Sequence, residues 1–232
     1  MTYLRIVVLS LLTAVTSAAH AEESTAITQL PQLDTKPVVE VSTPAMPEAA
    51  KGAPIKNFGV VVWKNPERGE KEGLVFRGGQ PEGPEAYKFL GELGVKTIIN
   101  LRTLRDTDQN LCAANGIECL DYSVIPVPGI KIHFHSNFKR AFAKAASEME
   151  AGRKVFIYCQ GGRHRTGALV SALTIRSVVC GKSYDKTELR NYMEKMLKDF
   201  GFYNLCGKAL NSWANDIRGW AKNPEKNKWI CE

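Results

Sequence analysis

The chain of 232 residues has little of what several function classes require. Its six cysteines are too few for a disulfide scaffold, and their spacings fit no zinc-finger pattern. Only four histidines are present, and no pair of carboxylates stands near them in sequence, so neither a metal nor any other cofactor is expected. No Gly-x4-Gly-Lys-Ser/Thr stretch occurs, which excludes a nucleotide-binding P-loop. No internal repeat is visible. Past the N-terminus no apolar run is long enough to cross a bilayer, so no stable membrane insertion is expected. The positive surplus is modest, 31 Lys and Arg against 24 Asp and Glu for a net charge of +7, and it favours anionic partners without naming one. No nucleic-acid module or interleaved aromatics accompany it, so nucleic acid is not an expected partner. What is present is 44% hydrophobic and 24% charged residues, which suits a packed core.

Residues 1–21, MTYLRIVVLSLLTAVTSAAHA, place Arg5 before an apolar stretch from Ile6 to Val15 and end on Ala19-His20-Ala21. This is the three-part pattern of a secretory signal peptide, with cleavage expected after Ala21 and a periplasmic or secreted product. Residues 22–56 hold five prolines among Thr, Ala and Glu, with no sustained apolar period. Such a segment cannot bury enough surface to offset its ordering entropy and is expected to be a flexible linker. The folded domain is expected over 57–232, a size usual for one domain, and a monomer is the expected state.

Within it, Phe58–Trp63 and Leu74–Phe76 read as short strands. Pro84–Leu93 has apolar residues at helical spacing, stopped by Gly94. Val95–Leu101 reads as a buried strand, Thr107–Asn115 as a helix, and Ile117–Ile125 as a strand closed by Pro126 and Pro128. Asn137–Met149 is helical in pattern, Val155–Tyr158 a short strand and Thr166–Val179 a helix. Two more helical patterns cover Lys186–Phe200 and Ala209–Ala221. The alternation indicates an α/β fold, a central mostly parallel sheet flanked by helices.

The stretch Val155–Gly167, VFIYCQGGRHRTG, carries the chemistry. A strand delivers Cys159 to its carboxyl end, a Gly-containing loop follows, and Thr166 opens a helix. Free backbone N–H groups and the positive end of the helix dipole suit an oxyanion there. The loop Gln160, Gly161, Gly162, Arg163 and His164, closed by Arg165, forms the cradle, and the glycines allow its tight curvature. Arg165 presents a planar fork to two oxygens of a bound phosphate. The same environment lowers the thiol pKa of Cys159, and the Thr166 hydroxyl can donate to its sulfur. The combination of Gly, Arg, Thr/Ser and Gly at these offsets from one of six cysteines arises by chance roughly once in several thousand.

Cys159-Gln-Gly-Gly-Arg-His-Arg-Thr166 resembles the Cys-x5-Arg signature of cysteine-dependent protein tyrosine and dual-specificity phosphatases. Its ending looks most like the atypical dual-specificity phosphatases of plants and fungi, some of which cleave inositol pyrophosphates, and like exported bacterial relatives. The resemblance extends to Phe76-Arg-Gly-Gly-Gln-Pro81 and Leu90–Arg102 and covers roughly 57–220. It implies a phosphatase-type P-loop between strand and helix, with Cys159 as nucleophile, Arg165 as phosphate clamp and Thr166 assisting the sulfur.

Two positions depart from that pattern. Residue 158 is Tyr where the family usually has His, and Tyr122–Ser147 contains no Asp or Glu where the family usually keeps an acid for the leaving group. Asp121, His133 and His135 are the candidates for proton transfer, the two histidines alternating on a possible strand. A positioned general acid contributes about 10²–10⁴-fold, so its absence favours aryl phosphates and phosphoanhydrides over phosphoserine. The expected partner is a phosphorylated protein or a small phosphorylated or pyrophosphorylated anion. From Tyr122 to Val170 eight basic residues face two acids, which reads either as focusing of such an anion or as a solvated helix face. With Cys159 free, at most two disulfides form, with Cys112/Cys119 and Cys206/Cys231 expected. The expected activity is exported phosphatase chemistry through a phosphocysteine. A phosphate-binding module without turnover and a thiol-redox or sulfur-transfer protein are the alternatives.

Overall fold

A computed structural model describes residues 51–63, 73–127, 129–181, 184–203 and 208–232. Five strands, β1 (Gly59–Trp63), β2 (Gly73–Gly78), β3 (Val95–Asn100), β4 (Glu118–Asp121) and β5 (Lys154–Tyr158), form one sheet in the order β1-β2-β5-β3-β4. β1 runs antiparallel to β2, and every other neighbour pair is parallel. The mostly parallel α/β sheet expected from the sequence is the one found. The parallel β5 lies at its centre, between β2 and β3, so both of its faces are covered and, after Lys154 at its start, Val155–Tyr158 are all buried.

Alternation along β5 sorts the two cores. Val155, Ile157 and Cys159 face one cluster, which includes residues of α3 (Ser136–Glu150), α4 (His164–Val179), α5 (Lys186–Asp199) and α6 (Lys208–Lys222). Phe156 and Tyr158 face the other, with α1 (Gly83–Glu92) and α2 (Gln109–Ala114). α1 ends at Leu93, and Gly94 follows at φ +78°. α2 starts on Asp108, whose carboxylate accepts from the amides of Asn110 and Leu111, each at 3.1 Å. No helix among the described residues is long and apolar enough to cross a membrane.

Three expectations are corrected. The strand expected over Ile117–Ile125 is only the four residues of β4. Its partner β3 ends at Asn100, and the chain beyond Asp121 leaves the ladder with single bonds from Tyr122 N to Asn100 O and from Val124 N to Leu101 O. His133 and His135 are not on a strand, because Ile132–Phe134 is a 3₁₀ turn that leads into α3 with His135 as its cap. Cys112–Cys119 is bonded as expected, joining α2 to β4, but Cys231 is bonded to Cys180. The C-terminal segment doubles back across the end of α4, where Arg176 Nη1 donates to Ile230 O at 2.8 Å, and this brings Cys231 to that helix's cap. Cys206 lies outside the described residues.

Candidate active site

Cys159 follows the last residue of β5 and is buried, and it is the free cysteine among the described residues. The loop after it is pressed against the end of β2. Gly162 has φ +65°, and a Cβ there would stand 2.3 Å from Gly78 C and 2.5 Å from Gly79 N, both backbone atoms that cannot yield. Glycine is therefore required by conformation and by space together. Gly161, by contrast, faces open space.

The loop's peptide planes are set from outside. Gln160 O accepts from Gln80 N at 3.3 Å. Asn57 Nδ2 lies 3.3 Å from Gly161 O, 3.2 Å from Gly162 O and 3.1 Å from Phe200 O. Arg77 Nη2 also donates to Gly162 O. A trans peptide carries its N–H opposite its C=O. Holding these three carbonyls outward therefore turns the amides of Gly161, Gly162 and Arg163 toward the inside of the loop. That is a nest of donors with the N-terminus of α4 beneath it, suited to a tetrahedral oxyanion.

The thiol is tuned within the same space. Burial pushes Cys159 up, but the Thr166 hydroxyl and amide, the Arg165 charge and the Arg163 amide outweigh it, so the thiol sits below its ordinary value. Thr166 is fully buried and its hydroxyl makes no other hydrogen bond among the described residues. Arg165 uses Nη1 to reach Leu101 O (3.1 Å), Thr103 Oγ1 (3.2 Å) and Val124 O (3.3 Å). Among the described residues this fixes one corner of the guanidinium and leaves Nε and Nη2 for a ligand. The two loops that hold it are tied together by Thr103 Oγ1 to Val124 O at 3.1 Å. Leu104 and Ile125, the next residue of each loop, are exposed, Leu104 at 96% and with φ +64°.

The remaining sequence candidates serve other ends. The His164 ring bonds Phe202 O at 2.8 Å and packs edge-on to the Phe202 ring, so its side chain anchors the start of α4. Tyr158 points to the opposite sheet face from Cys159. Its hydroxyl meets Thr107 Oγ1 at 3.0 Å, which donates to Asp121 Oδ1 at 2.7 Å. The same Asp121 oxygen accepts from Asn100 Nδ2 at 2.7 Å and Thr107 N at 3.0 Å. This carboxylate is committed to holding the segment after β3 in place. The His133 ring stacks on Trp229 at 5.7 Å and abuts Trp220, and burial, with Lys131 and Lys139 nearby, lowers its pKa to about 4. It is neutral at pH 7. Neither His133 nor His135 is hydrogen-bonded to Cys159, Arg165 or Thr166.

The basic segment is also less free than its sequence implies. Lys144 bridges Glu118 and Glu148, each at 2.9 Å, Arg153 pairs with Glu148, and Lys154 donates to Leu93 O. Arg163 and Arg165 are the members of that run in the loop itself.

Sequence reasoning missed Asn57 and Arg77. The usable signal for Arg77 was an arginine inside the apolar stretch Leu74-Val-Phe-Arg-Gly, where a strand buried on both faces should carry no charge. For Asn57 nothing local to it signalled a role.

Residues 50–203 match the family model described as "DSP-PTPase phosphatase fused to NAD+ Kinase". Over 101 residues the chain is 28% identical to inositol diphosphatase DSP4 of Arabidopsis thaliana, which is 43% of this chain and 50% of that protein. The chain thus spans about half the length of this curated relative. Among solved structures, the core catalytic domain of the PP-IP phosphatase SIW14 from S. cerevisiae, in complex with citrate, is similar at TM-score 0.47 and 20% identity, over 76% of this chain and 95% of that one. P. aeruginosa TpbA is similar at TM-score 0.46 and 16% identity, over 66% and 86%. A family match across most of the folded segment, with the cysteine loop inside it, makes this chain a member of the DSP-PTPase phosphatase family, cysteine-dependent hydrolases of the dual-specificity type.

Proposed function

We propose that the protein is an exported phosphatase that hydrolyses phosphomonoesters or phosphoanhydrides through a phosphocysteine on Cys159. The observation that carries this is the outward latching of the loop carbonyls around a thiol held below its ordinary pKa. In this reading Cys159 Sγ attacks phosphorus in line, the P–S bond forms and the bond to the leaving oxygen breaks. Arg165 Nε and Nη2 and the loop amides hold the equatorial oxygens as charge shifts in the transition state. Water then attacks phosphorus, inorganic phosphate departs, and the thiolate leaves with Thr166 donating to it.

The leaving group must depart with little help. Tyr122–Ser147 carries no carboxylate, Asp121 is engaged in structure and His133 is neutral. Aryl phosphates and phosphoanhydrides are therefore the favoured substrates. The Arabidopsis relative, an inositol diphosphatase by name, supports the anhydride side. Export is supported by the signal-like pattern of residues 1–21 and by two disulfides around a thiol that stays free. The missing acid also favours a second reading, a module that binds phosphate without turning it over.

The test is turnover of an aryl phosphate and of inorganic pyrophosphate by the exported chain, beside Cys159→Ser and with chelator present. Turnover that disappears in the variant and survives chelator supports the phosphocysteine route. A silent wild type that still binds vanadate supports the binding module. Equal rates on phosphoserine and phosphotyrosine peptides would sink the leaving-group reasoning.

A further inference from the structure

Arg77 lies on β2, paired across the sheet with Gly59 of β1 and Ile157 of β5, in the middle of a buried layer. Its neighbours Val75 and Phe76 sort to opposite clusters, so Arg77 projects to the face that holds Val75, Ile157 and Cys159. It is fully buried. The guanidinium lies 3.7 Å from the centroid of the Phe200 ring, and Nη2 donates to Gly162 O behind the loop. Nε and Nη1 have no partner, and no carboxylate pairs with it among the described residues. Desolvation lowers its pKa to about 9, which leaves it a cation at neutral pH.

A buried cation without an anion is costly, and an apolar side chain of similar volume in its place is often neutral or better for stability. Retaining arginine here calls for an anion that the charge serves. The charged and titratable groups around it are few. Arg77 is faced by Cys159 from the end of β5 and by Tyr192 from α5 and touches the loop at Gly162 O, while the charge that lowers Cys159 most directly is Arg165 at the start of α4. Arg165 in turn is faced by Arg102 from the segment after β3. Tyr192 is held neutral by burial. The anion within reach is the Cys159 thiolate.

We propose that Arg77 is a positioning residue that acts from behind the loop, supplying a second fixed positive charge, beside Arg165, that keeps Cys159 as a thiolate while holding Gly162 in place. Tyr158, next to Cys159 in sequence, is turned to the other face of the sheet and brings it no charge. Arg77 supplies from β2 a charge that this position does not. The inference rests on the proposed role of Cys159, but its test needs no turnover.

The test is the pH dependence of iodoacetamide alkylation of Cys159, followed by mass spectrometry of its own peptide so that no other thiol contributes. It is run on the oxidised exported chain, on Arg77→Gln and on Arg77→Lys, each checked for native folding by circular dichroism. Gln removes the charge but keeps a donor for Gly162 O. The expected result is a midpoint raised by about one pH unit or more in Arg77→Gln, a tenfold loss of thiolate below both midpoints. Arg77→Lys, which keeps charge without the planar fork, is expected to recover most of that shift. A folded Arg77→Gln whose midpoint is unchanged overturns the proposal and leaves Arg77 a packing bracket. A lysine variant shifted as far as the glutamine one overturns it too. If only the lysine variant folds, a midpoint near wild type supports the charge role and a full unit's rise refutes it. A wild type without phosphatase activity would defeat the proposed function but leave this titration readable.

Discussion

Asn57→Gly isolates the contribution of one side chain to the phosphate cradle. Asn57 sits at φ +54°, a conformation glycine adopts freely, so the variant deletes hydrogen bonds without straining the backbone. Nδ2 has two protons for three carbonyls within 3.3 Å, so two good bonds exist at any moment. At about 0.5–1.5 kcal/mol net each, the loss is about 1–3 kcal/mol. Part of it falls on global stability, where added chain entropy from glycine contributes a further ~0.4–1 kcal/mol. The part that frees the Gly161 and Gly162 carbonyls lets their peptide planes rotate, and inward amides are lost from the site. The expected outcome is kcat/KM for an aryl phosphate lowered about threefold to thirtyfold, taking two thirds of that loss for the two loop carbonyls and tenfold per 1.4 kcal/mol, with vanadate affinity falling in parallel. Asn57→Ala adds roughly 1 kcal/mol of left-handed strain and should melt lower still. Vanadate titration is the cleaner assay because unfolded-state entropy does not enter it. An Asn57→Gly protein with wild-type vanadate affinity and wild-type kcat/KM would refute the latch.

Other outcomes follow from the same geometry. Gly162→Ala must move the backbone of Gly78 or Gly79 and adopt a strained φ, so kcat/KM should fall by about 10²-fold or more for a displacement near 1 Å, a result steady-state kinetics would check. His133 holds its proton far less readily when folded, near pH 4, than when unfolded, near 6.5, so the unfolded chain binds more protons in between. Stability is expected to fall by about 1–2 kcal/mol, with solvent screening of this half-buried ring allowed for, as pH drops from 6.5 to 4, and His133→Leu should flatten that stretch in urea melts. Glu148, held down to about 2 by Arg153 and, with Lys144, against its burial, adds a second loss as pH falls from 4.5 toward 2, one that Glu148→Gln removes. Cys180→Ser should cost about 4 kcal/mol by the chain-entropy relation for the 51-residue separation it closes, against about 2 for Cys112→Ser, measured as urea midpoints under oxidising conditions.

The cradle was legible because its chemistry is written in consecutive residues, a strand, a loop and a helix start from Val155 to Gly167. What supports it was not, because Asn57 and Arg77 stand 105 and 85 positions from the carbonyl of Gly162 that they share. A side chain's role there depends on which strand the sheet sets beside which, and β5 comes between β2 and β3 although it follows both in sequence. The end of β4 was misjudged for a related reason. Ile117–Ile125 keeps strand-forming residues past Asp121, but a strand persists only while its partner does, and β3 stops at Asn100. The pairing of Cys231 with Cys180 likewise depends on the return of the C-terminal turns across α4, which leaves no periodic signature.

The contact between Gly162 and the Gly78-Gly79 backbone has a consequence for how this chain tolerates change. Any side chain added at 162 fills a space that belongs to β2, and β2 has no freedom to withdraw while Gly79 N is tied to Lys56 O at 2.8 Å. Substitution at one site is therefore admissible only with a compensating shift at the other, and a library varying the signature loop alone would return almost nothing at 162. Randomising 78 and 79 as well opens no room, because both are already glycine and the atoms in the way are their backbone. The heritable unit of this active site is a pair of distant glycine segments as much as it is the loop around the cysteine.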